Sequence, residues 1–198
     1  MSKQFSAACE RNQQPILAVL RTVFSGRARV LEIGSGTGQH AVYFGATLPE
    51  VTWQTSDLPQ NHASILAWQH EVQLSNVLPP LTLDMRAPDW PAGYYDGIFS
   101  ANTCHIMAWP EVERMFGGAG RLLPAGGALC VYGPFNYGGR FTSASNAQFD
   151  AALRQQAPHM GIRDFEAVDR LAGAAGLALE ADHEMPANNR LLIWRRAP

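Results

Sequence analysis

Eleven residues constrain this chain more than any others: Val30-Leu31-Glu32-Ile33-Gly34-Ser35-Gly36-Thr37-Gly38-Gln39-His40. A short apolar strand ends on an acidic residue, three glycines alternate with small polar residues, and a helical pattern begins. Glycine at every second position permits a tight turn and lets a ligand lie directly on the backbone. The dinucleotide fingerprint Gly-x-Gly-x-x-Gly fails by one residue, because the third glycine falls at Gly38 and position 39 is glutamine. An ordinary strand–turn–helix stays open as the plain alternative.

The chain has 198 residues, a size that fits one domain with a sizeable core. Its 15 Lys+Arg against 17 Asp+Glu give a net charge of -2, which argues against a basic field that gathers nucleic acid. Cys9, Cys104 and Cys130 are isolated and odd in number, and no paired spacing of Cys or His implies zinc. These features, with no apolar run in Met1–Gln14, lead us to expect a reduced, cytoplasmic, metal-free protein without a membrane span.

Apolar spacing after Pro15 predicts a helix over 15–24, with a shorter one before it. Strands are expected at Arg29–Ile33, Val51–Thr55, Leu81–Leu83, Tyr95–Ser100, Gly127–Gly133, Leu177–Glu184 and Leu191–Arg195. Helices are expected at Gly38–Thr47, Gln60–Gln73, 110–123, 146–156 and 164–175. Alternating strands and helices predict an α/β fold with a parallel sheet. The short turn Pro186–Asn189 forces the last two strands to be antiparallel. Ligands of open α/β sheets sit beyond the carboxyl ends of the strands. That topology assigns Met185–Arg190 and a lid insertion, about 134–164, to the ligand rim.

The pattern Glu-x-Gly-x-Gly-x-Gly resembles motif I of class I S-adenosylmethionine-dependent methyltransferases. That resemblance implies a Rossmann-like fold with a seven-stranded, mostly parallel sheet in the order 3-2-1-4-5-7-6, strand seven being antiparallel. More of the chain resembles the methyltransferase-like protein 26 family, formerly a domain of unknown function. The shared blocks are Glu10-Arg11-Asn12, Ser35–Phe44, Trp53 with Ser56-Asp57, Asn76–Pro80, Leu83-Asp84, Asn102 with His105-Ile106, Tyr132–Phe135, Gly161–Asp164 and Met185–Asn189. Cys104 and Met107-Ala108 depart from the family pattern around His105.

On this reading S-adenosylmethionine is the cofactor and S-adenosylhomocysteine the product. Gly34, Ser35, Gly36 and Gly38 would cradle it. Glu32 would accept from its amino group, directly or through water, or else cap a helix. Asp57, 21 residues past Gly36, would grip the ribose hydroxyls or cap the following helix. Asp84 would accept from adenine while Met85 packs on the ring, unless the pair is a cap and core. The Asn102 backbone would face the methionine portion, its side chain being free to satisfy a turn, and Arg11 would meet the carboxylate or lie on the surface. Residues about 1–24 would lie over the cofactor mouth.

His105 and Tyr132 are the candidates for general base or acceptor orientation, a structural histidine being the alternative. Tyr137, Arg140, Arg163, Asn188 and Asn189 are polar groups expected on the ligand rim. No Asn-Pro-Pro-Tyr turn or Pro-Cys nucleophile occurs, so nucleobase chemistry is disfavoured and a small-molecule acceptor is expected. The rivals are a non-catalytic cofactor-binding or partner-interaction protein and, more remotely, a nicotinamide-dependent oxidoreductase.

Overall fold

The computed structural model describes residues 3–26, 29–87 and 89–198. Its main sheet has the order β3 (Val77–Thr82), β2 (Thr52–Asp57), β1 (Arg29–Ile33), β4 (Gly97–Ala101), β5 (Ala128–Gly133), β9 (Asn189–Arg196), β8 (Leu177–Met185), with a separate two-stranded sheet of β6 (Phe135–Asn136) and β7 (Arg163–Asp164). With β8 and β9 as the sixth and seventh main strands, this is the expected Rossmann-like methyltransferase order. The chain divides into two compact units, Met1–Asp84 with Pro88–Ser100, and Met85–Ala87 with Ala101–Pro198.

The first unit opens with α1, Ala7–Val23. The Ser6 side chain caps it by accepting from the Cys9 N–H. One helix therefore replaces the expected pair, and Pro15 lies inside it rather than at its start. Interior proline costs about 3 kcal/mol. Burial of Ile16, Leu17, Leu20 and Val23 along one face offsets that cost.

Strand β1, Arg29–Ile33, pairs in parallel with β2, Thr52–Asp57, and with β4, Gly97–Ala101. Helices α2, Gln39–Thr47, and α3, Pro59–Val72, make the connections. Phe44, Trp53 and Phe99 pack with centroids 5.3–5.8 Å apart, and all three are fully buried.

Strand β3 runs Val77–Thr82, four residues earlier than its apolar pattern predicts. Its Pro79 and Pro80 hid it, since proline cannot donate to a ladder. The structure accommodates them because β3 is an edge strand.

In the second unit, β5 spans Ala128–Gly133 and is buried throughout. It pairs antiparallel with β9, Asn189–Arg196, which pairs antiparallel with β8, Leu177–Met185. A single 3-10 turn, Pro186–Asn188, joins β8 to β9. Helix α4, Trp109–Leu122, starts where the Glu111 side chain accepts from the Ala108 N–H at 2.7 Å.

Between β5 and β8 lie β6 (Phe135–Asn136), α5 (Ala144–Gln156), β7 (Arg163–Asp164) and α6 (Phe165–Ala174). The β6–β7 pair was not expected, because two-residue strands carry no periodicity. Trp194 of β9 packs on Phe116 of α4 and donates to Asp169 of α6.

Candidate functional site

The turn between β1 and α2 is built on left-handed backbone. Gly36 has φ +56° and Gly38 φ +95°. A Cβ on Gly38 would lie 2.8 Å from the Ile65 Cα, so that glycine lets the turn close on α3. A Cβ on Gly36 would meet nothing within 4 Å, so space lies open above the backbone there.

The N–H groups of Gly34 and Ser35 both donate to the Ser56 carbonyl at 3.0 Å. The Gly36 N–H donates to Asp57 Oδ2 at 2.6 Å, while Asp57 Oδ1 accepts from the Leu58 N–H and the Asn61 amide. Asp57 thus tethers the turn and starts α3 with one carboxylate.

Glu32 is 2 % exposed. Its Oε2 accepts from Ser35 Oγ at 2.8 Å and from Trp53 Nε1 at 3.0 Å. Burial pushes its carboxyl up to about 7, with a smaller upward push from the Asp57 charge, against the two hydrogen bonds. Glu32 therefore joins the turn to the aromatic core.

An unforeseen clasp holds the turn from the N-terminal side. The Ser6 N–H and Thr37 Oγ1 both donate to the Gln39 Oε1, and Gln39 Nε2 donates back to the Ser6 carbonyl. Ser64 Oγ accepts from the Gln4 N–H and donates to the Thr37 carbonyl. His40 Nε2 meets Asn12 Oδ1 at 2.7 Å, and burial lowers its imidazole to about 4. Gln39 drew notice in the sequence only for breaking a dinucleotide pattern. Arg11, one position from Asn12, is exposed, and Asp84 is half-buried just past β3.

In the second unit, Asn102 adopts φ +60° and its N–H donates to the Tyr132 carbonyl at 2.8 Å. His105 is 6 % exposed, and its ring stands edge-on to Phe149 at 5.2 Å. Burial, with a smaller push from Arg163, lowers its imidazole to about 4. Among the described residues its ring has no hydrogen-bond partner.

Arg163 donates to the carbonyls of Cys104, Met107 and His159, and the Gly161 N–H donates to the His105 carbonyl. The Gly161–Asp164 block therefore braces the loop that carries His105. Met85 is buried, and its carbonyl accepts from Arg114.

A cleft of about 300 Å³ is lined by Asn102, Pro134, Ser145, Asn146, Phe149, Ala187 and Asn189. Asn102 and Asn189 thus meet in one space, with His105 against its Phe149 wall. The other rim candidates do not line it. Tyr137 donates its hydroxyl to Asp182 and stacks on Phe165. Burial, then Asp182, pushes its phenol up. Arg140 is exposed and closes a turn with Tyr137 through paired backbone bonds. The Asn188 side chain donates to Ser145, and Tyr132 is buried in β5. Phe149 and Asn146 had no signal in the sequence, because an exposed Phe and a polar residue in a helical first turn are both commonplace.

Among the described residues no cluster of three His, Cys, Asp or Glu could hold a metal, and no helix is long and apolar enough to cross a membrane.

Solved structures share this fold. An O-methyltransferase family protein from Burkholderia thailandensis is 23% identical with a TM-score of 0.79, over 93% of this chain and 56% of that one. The S-adenosylmethionine-dependent methyltransferase SibL is 20% identical with a TM-score of 0.81, over 97% of this chain and 56% of its own. Human N-acetylserotonin methyltransferase, solved with S-adenosylmethionine, is 15% identical with a TM-score of 0.73, over 94% of this chain and 55% of its own. The chain thus spans a little over half the length of these proteins. A family model matches residues 3–196, and the chain belongs to that family, described as Protein of unknown function (DUF938).

Proposed function

We propose that this chain is a class I S-adenosylmethionine-dependent methyltransferase acting on a small-molecule acceptor. One observation carries the reading: the left-handed turn has open space over Gly36 and is held in shape by Asp57, Glu32 and Gln39. A ligand pressed against the backbone fits such a cradle. The fold shared with methyltransferases and the likeness to the methyltransferase-like protein 26 family support the same reading.

When bound, the cofactor supplies an electrophilic methyl on sulfonium. Gly34, Ser35, Gly36 and Gly38 would hold its body, with Asp57 turned to the ribose. Asp84 and Met85 would receive the adenine, Asn102 and Arg11 the amino-acid portion. Glu32 would act chiefly by holding the turn, since Ser35 and Trp53 already engage it.

An imidazole held to about 4 is a weak base at neutral pH. His105 would therefore accept a hydrogen bond from the acceptor rather than carry away a full proton. Positioning and exclusion of water would supply most of the rate. Tyr132 remains the second candidate for orienting the acceptor, Arg163 would act by bracing the His105 loop, and Tyr137, Arg140 and Asn188 would shape the rim. We further propose one functional domain with 134–164 as its lid, working in the cytoplasm without nucleic acid or metal.

A second reading, a non-catalytic binder of the same fold, is favoured by the lack of any ionisable side chain lining the cleft. Calorimetry with S-adenosylhomocysteine and NAD tests the cofactor. Methyl-labelled cofactor in a metabolite extract tests turnover. NAD binding without S-adenosylhomocysteine binding would overturn both readings, and cofactor binding without turnover would favour the binder.

A further inference from the structure

The cleft of the second unit has a definite hydrogen-bonding polarity. Asn146 is 5 % exposed. Its amide nitrogen donates to Thr142 Oγ1 at 2.9 Å and to the Asn188 carbonyl at 3.1 Å. Those bonds fix which end of the amide is which. Its Oδ1 has no partner among the described residues. Asn189 repeats the arrangement, for its amide nitrogen donates to the carbonyls of Pro186 and Ala187 and leaves Oδ1 unpartnered. The Asn102 side chain has no partner among the described residues either. Two asparagines whose amide nitrogens are already engaged therefore line one small space. An amide oxygen can only accept, so such a pair suits something that donates.

The rest of the lining is apolar apart from the Asn102 amide and the Ser145 hydroxyl. Phe149 is 41 % exposed and lines the same cleft with Pro134 and Ala187. No Lys, Arg, Asp, Glu or His lines it. A carboxylate or phosphate would enter with no cation to meet it and only the Asn102 amide and the Ser145 hydroxyl to donate. An ammonium would lose its water for neutral amides alone.

We propose that this cleft takes an uncharged, flat molecule that presents at least two hydrogen-bond donors, its ring on Phe149 and its donors on Asn146 and Asn189. A dihydroxylated or hydroxy-amino aromatic ring is the simplest such molecule. This rests on the methyltransferase reading, in which the occupant is the methyl acceptor.

The test uses the full chain, isotope-labelled for NMR, with four probes: catechol, benzoate, phenyl phosphate and anisole. Catechol should give saturable shifts at Phe149 and at the side-chain amides of Asn146 and Asn189. Benzoate and phenyl phosphate should bind at least tenfold more weakly, and anisole, which accepts but cannot donate, at least fivefold more weakly.

Phe149→Ala removes a half-exposed ring, so the fold should survive, and catechol affinity should fall at least threefold. Asn146→Ala should weaken catechol further, with circular dichroism reporting whether the fold holds. Benzoate or phenyl phosphate binding as well as catechol, or catechol shifts that avoid Phe149, would overturn the inference. Calorimetry with S-adenosylhomocysteine on the same sample separates the two proposals. Cofactor binding with no catechol response sinks the cleft assignment alone, whereas catechol binding without the cofactor sinks the methyltransferase reading and leaves the cleft chemistry standing.

Discussion

Glu32→Gln should make the protein more stable as the pH rises. In the folded protein the Glu32 carboxyl is raised from its ordinary value of 4.5 to about 7. Such a group holds its proton more tightly when folded. The stabilisation this gives is complete below about 4.5 and is lost as pH climbs through 7. At about 1.4 kcal/mol per tenfold change in equilibrium, the loss amounts to about 3 kcal/mol by pH 8.

Glutamine keeps an oxygen for Ser35 Oγ and Trp53 Nε1 but never ionises. Neutral bonds are weaker than charge-assisted ones by about 1 kcal/mol each, so the absolute gain is smaller. The pH trend of the difference between the two proteins is the cleaner quantity. His40 and His105, both held to about 4, give stability that rises with pH, but they are common to both proteins and cancel.

Urea unfolding at pH 5, 6, 7 and 8 and constant ionic strength measures the trend. From pH 5 to 8 the stability difference should grow by about 2.5 kcal/mol in favour of the variant, a widening of about 1 M in midpoint for a chain of this size. A difference constant to within about 0.5 kcal/mol from pH 5 to 8 would refute a buried, proton-holding Glu32.

The two turn glycines should behave differently. Gly38→Ala meets the Ile65 backbone and should lower the melting temperature several degrees, at about 2–4 °C per kcal/mol, while Gly36→Val, which meets no atom but is strained at φ +56°, should cost some stability and leave a folded chain that fails to bind S-adenosylhomocysteine by calorimetry. Asp57→Ala should weaken that complex at least tenfold, and an equal loss with the 2′,3′-dideoxy analogue in both proteins would remove Asp57 as the ribose ligand. Arg163→Ala should accelerate amide hydrogen exchange at the 104–107 loop while S-adenosylhomocysteine affinity, read by calorimetry, stays within about threefold. Unchanged exchange would mean that the guanidinium does not brace the loop.

The elements legible in the sequence are those whose physics is local. The turn glycines announce themselves by spacing, and the terminal hairpin by a connection too short for a crossover. Pro15 misled because a helix start and a tolerated interior proline look alike until the buried face of α1 is known. Pro79 and Pro80 hid β3 because edge position is a property of the sheet, not of the segment. Among site residues, Arg163 read as a polar group on the ligand rim, but its guanidinium is engaged by the backbone carbonyls of Cys104, Met107 and His159, and carbonyls leave no trace in a sequence. Asn146 gained its meaning from where its amide nitrogen is tied, which depends on Thr142 and Asn188 being brought to it by the fold.

The prolines of β3 also govern how this molecule meets its own copies. An open sheet margin normally offers alternating donors and acceptors to any passing strand. Here Pro79 and Pro80 carry no N–H, so the strand is short of donors and its ladder is broken. The acceptors are claimed as well: the Leu78 carbonyl takes Thr55 Oγ1 and Gln69 Nε2, and the Pro79 carbonyl takes Gln54 Nε2. A neighbouring chain therefore meets an interrupted ladder along that margin. The two residues that made the strand hard to read thus blunt the edge at which a second copy would otherwise add a strand.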